Sequence, residues 1–179
     1  MLLAGDELDD LVNRGYITGV KKEQIRGSSI DITLGENILE ERIEFDPRII
    51  KLRDRDPLKV LSVNIGLKPF LLRPNHFILA HSRETFNLPN DISAEYKLNS
   101  SGARMALNHM MAGWIDAGFS NSVLTLELHN VSRFHTIELN YGDRIGQIVF
   151  YRHKPVGKDR FYKNVGNYNN CKTVSGVKK

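Results

Sequence analysis

The chain has 179 residues, 41% of them hydrophobic, which suits one domain with a packed core; no stretch approaches the roughly 18–20 apolar residues of a membrane span, and the opening MLLAGDELDD turns acidic too early for a secretory leader. The net charge of +4, from 25 basic and 21 acidic residues, fits a polyphosphate ligand without demanding a nucleic acid, and part of the excess lies in the terminal CKTVSGVKK, read as a solvated tail. A single cysteine, Cys171, excludes an internal disulfide and points to a reducing, cytoplasmic setting.

One helix opens the chain, with Asp6 as its N-cap, Glu7, Asp9 and Asp10 loading the first turn, and Leu8, Leu11 and Val12 as its apolar stripe. Asn13-Arg14-Gly15 ends it, with Gly15 at the left-handed cap position. Strand signals follow at 29–34, 59–67, 70–72 and 76–80, punctuated by Gly35, Pro69, Pro74 and Asn75. Residues 100–107 (SSGARMAL) break the pattern and read as a short internal helix. Strands resume at 123–128, 135–139 and 144–150, the last two split by a turn at Tyr141-Gly142-Asp143. Many short strands at turn-punctuated spacing predict an all-β domain over 1–179, a distorted barrel or jelly-roll-like sandwich.

Several chemistries are excluded. The sequence holds neither a G-x-x-x-x-G-K-[ST] loop nor a G-x-G-x-x-G fingerprint. Zinc-dependent nucleobase deaminases require P-C-x-x-C, which one cysteine cannot supply. The six histidines (His76, His81, His109, His129, His135 and His153) show no metal-ligand spacing and read as surface or core residues. No helix-turn-helix, zinc finger or aromatic-basic stripe suggests a nucleic-acid binder.

Three segments carry candidate chemistry. Ser100-Ser101-Gly102-Ala103-Arg104 combines hydroxyls, a tight backbone and a guanidinium that can bind an anion; the same residues also read as a capped helix start, with Ser100 or Ser101 as cap. Ala112-Gly113-Trp114-Ile115-Asp116-Ala117-Gly118-Phe119 sets an acid among apolar residues, as a pocket wall would, or as a turn aspartate beside a core aromatic. In Val123-Leu124-Thr125-Leu126-Glu127-Leu128, period 2 puts Glu127 opposite three leucines. Glu127 is therefore a candidate general acid–base or an ordinary exposed strand glutamate.

Taken in order, these segments resemble the dCTP deaminase family. Its SSxAR, AGxIDxGF, TLE and G-x-x-IGQ motifs match residues 100–104, 112–119, 125–127 and 142–147; residues 27–35 resemble its early S-I-D-x-x-L-G strand, and 71–84 with Leu88-Pro89 its middle hairpin. The resemblance implies a dUTPase-type fold, a homotrimer with active sites between subunits, and a deoxycytidine nucleotide bound with Mg²⁺ and without zinc. It assigns Glu127 to proton shuttling, and Ser100, Arg104 and the Ala112 carbonyl to holding the attacking water. Leu124 and Thr125 would read the base, and Asp116 and Phe119 the deoxyribose. Ser101 and Gln147, with Arg104 and the Gly102-Ala103 backbone, would face the phosphates, and Tyr162 and Tyr168 would add contacts from a tail over 157–179 that closes as a lid.

Four departures stand out. Asn99 replaces the arginine usual before the paired serines. The span from Asp116 to Glu127 is one residue longer than the family's, and Ser120-Asn121-Ser122, read as a hairpin, lacks its usual glycine. The tail has Asn167 and Cys171 where the family carries lysine and glutamine. The main expectation is deamination of dCTP to dUTP. The alternatives are a bifunctional enzyme giving dUMP, to whose members the string AGWIDAGF is similar, a dCMP-preferring deaminase, a dUTP pyrophosphatase, and a non-catalytic nucleotide-binding relative.

Overall fold

The computed structural model describes residues 1–42 and 49–178. Helix α1 (Asp6–Asn13) buries Leu8 and Leu11. Gly5, not Asp6, holds its N-cap position. Asp6 instead joins Glu7 and Asp9 in the first turn, where carboxylates offset the helix dipole. The C-terminus closes as anticipated: Gly15 has φ 73, its N–H donates to the Val12 carbonyl at 3.0 Å, and that of Tyr16 to Leu11 at 2.9 Å. This pair of bonds is the Schellman arrangement.

The strands are β1 (Ile17–Thr18), β2 (Ile30–Thr33), β3 (Asn37–Glu41), β4 (Val60–Asn64), β5 (Phe70–Leu72), β6 (Phe77–Asn87), β7 (Ile92–Leu98), β8 (Leu107–His109), β9 (Trp114–Ile115), β10 (Ser120–Asn130), β11 (Ile137–Leu139) and β12 (Arg144–Arg152). Helix α2 (Ser100–Arg104) is the internal helix expected from residues 100–107, shortened because Leu107 enters β8; a further turn, α3 (Tyr162–Val165), lies in the tail. One sheet runs β4-β3-β6-β10-β8 with β1 also on β6, a second runs β2-β12-β7-β9, and β11 pairs with β5. All pairings are antiparallel. The result is the all-β, jelly-roll-like class expected. One apolar cluster joins the sheets, with Ile78 and Ala80 of β6, Leu126 and Leu128 of β10, and Ile148 and Phe150 of β12 fully buried.

Three differences from the sequence reading have physical causes. Strand β6 runs seven residues past Ala80, through a stretch in which the polar side chains of Ser82 and Glu84 are buried and satisfied. The Ser82 hydroxyl donates to the Glu84 carbonyl at 2.8 Å, and the Glu84 carboxylate accepts from Gln24 Nε2, Thr33 N–H and Thr33 Oγ1. Strands β3, β7 and β9 carry too little alternation to read: in β7, Ser93 on the second face is also buried, against His153. Finally, Ser120-Asn121-Ser122 is no hairpin. It is a bulge inside β10, where Ser120 pairs with Asn87 and Ser122 with Phe86, leaving Asn121 (φ 53) as the extra residue.

Candidate active site

Strand β10 is the floor of the site. Leu126 and Leu128 point into the core, so Thr125 and Glu127 face the other way, into a cavity of about 560 Å³. One wall is the loop and strand from Ala112 to Phe119. Asp116 is exposed there, and one of its oxygens accepts the Trp114 indole N–H at 3.0 Å. Trp114 stacks on Tyr151 at 6.2 Å, which holds the indole in place. Phe119 is buried between Phe86 and Tyr162, with ring centroids 6.2 and 5.9 Å away. A second wall comes from residues 50–60, with Ile50, Leu52, Pro57, Leu58 and Val60 beside the charged Arg55 and Asp56.

The tail forms the third wall. It lies along β10: Val123 N–H donates to the Cys171 carbonyl at 2.8 Å and Ser122 Oγ to that of Tyr168 at 3.0 Å. Tyr162 N–H donates to the Ala117 carbonyl at 3.1 Å. Gly118, at φ 94, lets Phe161 pass directly over it. Tyr162 and Tyr168 both reach the cavity, and burial pushes the Tyr162 hydroxyl above its ordinary pKa of 10.

The structure thus gathers Ala112, Asp116, Phe119, Leu124, Thr125, Glu127, Tyr162 and Tyr168 around one cavity. Ser100, Ser101, Gly102, Ala103, Arg104 and Gln147 are not among its lining residues. The four non-glycine residues of α2 are exposed, and Gln147 is half-buried on β12. The cap of α2 is neither serine: the Asn99 side chain accepts the Gly102 N–H at 2.6 Å and donates to the Arg144 carbonyl at 2.6 Å. Asn99 therefore leaves both serine hydroxyls out of the cap.

Sequence reasoning missed two contributors: the 50–60 wall, which carries no motif, and His109. On β8, His109 sits opposite Leu128 of β10, with Nε2 3.2 Å from Glu127 Oε2. No cue short of strand register brings those two together. Among the described residues, no group of three or more His, Cys, Asp or Glu side chains could cage a metal.

The family model described as "dCTP deaminase-like" matches residues 2–153. The chain is 36% identical over 161 residues to "dCTP deaminase, dUMP-forming" of Dictyoglomus turgidum, covering 88% of this chain and 81% of that one. It is 36% identical over 157 residues to the protein of the same name from Methanospirillum hungatei, covering 84% and 81%. Its fold is similar to the crystal structure of 2'-deoxycytidine 5'-triphosphate deaminase from Agrobacterium tumefaciens, with TM-score 0.65 and 24% identity over 83% of this chain and 47% of that one.

Proposed function

Because the chain belongs to the dCTP deaminase family, we propose that it carries dCTP through to dUMP rather than stopping at the dUTP that the motifs first suggest. The observation that carries this reading is that Glu127 and Asp116 open on one cavity, with Asp56 the third carboxylate of its lining. The names of the similar proteins, dUMP-forming, support it.

The chemistry needs both acids. Water adds to C4 of cytosine as Glu127 takes its first proton and passes it to N3; the carboxylate then takes the proton of the new C4 hydroxyl and passes it to the amino group, so that the C4 carbonyl forms and ammonia leaves. A second water, deprotonated by Asp116, attacks the α-phosphorus of the uracil product and displaces pyrophosphate. Phe119 packs against the deoxyribose, and the backbone at Leu124 and Thr125 reads the base edge.

The anion-binding turn of Ser100, Ser101, Gly102, Ala103 and Arg104, with Gln147, lies outside this cavity, so a neighbouring copy in a homotrimer supplies it. Exposed Met105 and Met110, flanking α2 and β8, support burial of that face. Magnesium would arrive on the triphosphate oxygens, since the described residues offer no cage of their own. The setting is the cytoplasm.

The test is chromatography of products from dCTP, dCMP and dUTP, each with Mg²⁺. dUMP, pyrophosphate and ammonia from dCTP are expected. Accumulating dUTP would restrict the enzyme to deamination, and turnover of dCMP alone would overturn the triphosphate preference. Glu127→Gln should abolish ammonia release while nucleotide binding persists.

A further inference from the structure

Glu127 must present one carboxylate oxygen to a moving proton twice in a turnover, and a freely rotating carboxylate does this poorly. The structure divides its two oxygens. Oε2 is buried and lies 3.2 Å from Nε2 of His109, which is buried too. Neither atom has an aligned hydrogen bond elsewhere among the described residues, so each depends on the other. The Glu127 side chain as a whole remains 28% exposed towards the cavity, which leaves Oε1 for substrate.

The imidazole is packed against an anchored ring. The Tyr96 ring packs on it at 4.5 Å, and the Tyr96 hydroxyl is anchored on the Ile145 carbonyl at 3.1 Å. Burial, and then the Glu127 charge, push that hydroxyl far above its ordinary pKa, so Tyr96 stays neutral and does not compete for the proton. The backbone ties the same elements: Met110 N–H donates to the Glu127 carbonyl at 3.2 Å, and Met111 N–H to the His109 carbonyl at 2.6 Å.

We propose that His109 is a positioning residue for Glu127: its Nε2–H holds Oε2 in the wall and fixes the plane of the carboxylate that shuttles protons. This rests on the acid–base role given to Glu127 above. The contact falls short of hydrogen-bond alignment as it stands, as catalytic hydrogen bonds often do before substrate tightens them.

The test is ammonia release from dCTP by the full chain. His109→Leu keeps the volume and removes the donor, and should lower kcat on the order of 10- to 100-fold, with KM little changed. His109→Gln, which restores an N–H at the same reach, should recover most of it. A Leu variant with wild-type kcat, or one in which only KM rises, would overturn the proposal. If the Leu variant does not fold, the histidine-¹⁵N spectrum of the wild type is compared with that of Glu127→Gln. The His109 Nε2 resonance should move, and an unmoved resonance overturns the proposal. Full activity in Glu127→Gln would instead remove the acid–base reading itself, whatever the resonance does, so the two failures are distinct.

Discussion

Replacing Gly118 by alanine should unseat the tail from the cavity while leaving the core intact. A Cβ at Gly118 would lie 2.4 and 2.5 Å from Phe161 ring carbons and 2.9 Å from the backbone nitrogen of Lys163. Rotating Phe161 could relieve the first two contacts; only moving the tail relieves the third. The residue also sits at φ 94, and holding alanine in the left-handed half of the map costs about 1–2 kcal/mol. Displacing the tail forfeits the Phe119–Tyr162 ring pair, worth about 0.5–1.5 kcal/mol. That pair is a gain of the docked parent and adds nothing to the difference, so the strain of about 1–2 kcal/mol sets the shift at roughly 5- to 30-fold in the docking equilibrium. In a Glu127→Gln background, calorimetry with dCTP should show affinity falling by up to that factor. Trypsin should cut at Lys163 and Lys172 sooner than in the parent, with circular dichroism unchanged. Parental affinity together with parental cleavage would refute the claim that Gly118 seats the tail.

Three further outcomes are expected. His81 is buried, and burial pushes its pKa below 6.5; its Nδ1 faces the Ser82 carbonyl at 2.8 Å and its Nε2 accepts the Asn37 N–H at 3.3 Å, which fixes a neutral ring. The unfolded chain then binds the extra proton, so this share of stability is complete above about pH 6.5 and lost as pH falls; melting temperatures of wild type and His81→Gln should converge towards acid, and parallel curves would contradict this. Asn99→Ala removes the α2 cap, should cost about 1 kcal/mol, and should lower Tm by roughly 2–4 °C in a thermal melt. Asn121→Val places a β-branched residue at φ 53 and should cost about 1–2 kcal/mol in urea unfolding; a neutral substitution would mean that the bulge is not there.

What the sequence revealed was what depends on local pattern. Gly15, the 70–72 strand and the turn at Gly142 are set by neighbours in the chain, and the structure places them as read. The alternation at 125–128 put Glu127 opposite Leu126 and Leu128, and that division holds. What failed depends on distant partners. The polar run after Ala80 looks like a loop until Gln24 and Thr33 arrive to satisfy Glu84. His109 looked like an ordinary histidine because its partner lies across a strand pair. The motif at 100–104 was read as an anion-binding turn, but it does not line the cavity, and no sequence periodicity encodes that placement.

The extra residue between Asp116 and Glu127 shows how such departures are reconciled. In a regular strand, one inserted residue would send every side chain beyond it to the opposite face. Glu127 would then point among the core leucines, and Leu126 would point into the cavity. The insertion is absorbed instead at Asn121, whose positive φ suits asparagine better than most residues, and whose N–H is taken up by the Asn87 side chain at 2.8 Å. A second irregularity lies between the Val123–Thr85 and Thr125–His81 pairs, where β6 loops out and Ser82 Oγ accepts the Leu124 N–H at 2.9 Å. Beyond it the register is regular from Thr125 to His129. With Asn121 taking up the extra residue and the register regular beyond Thr125, Glu127 keeps its place on the cavity face.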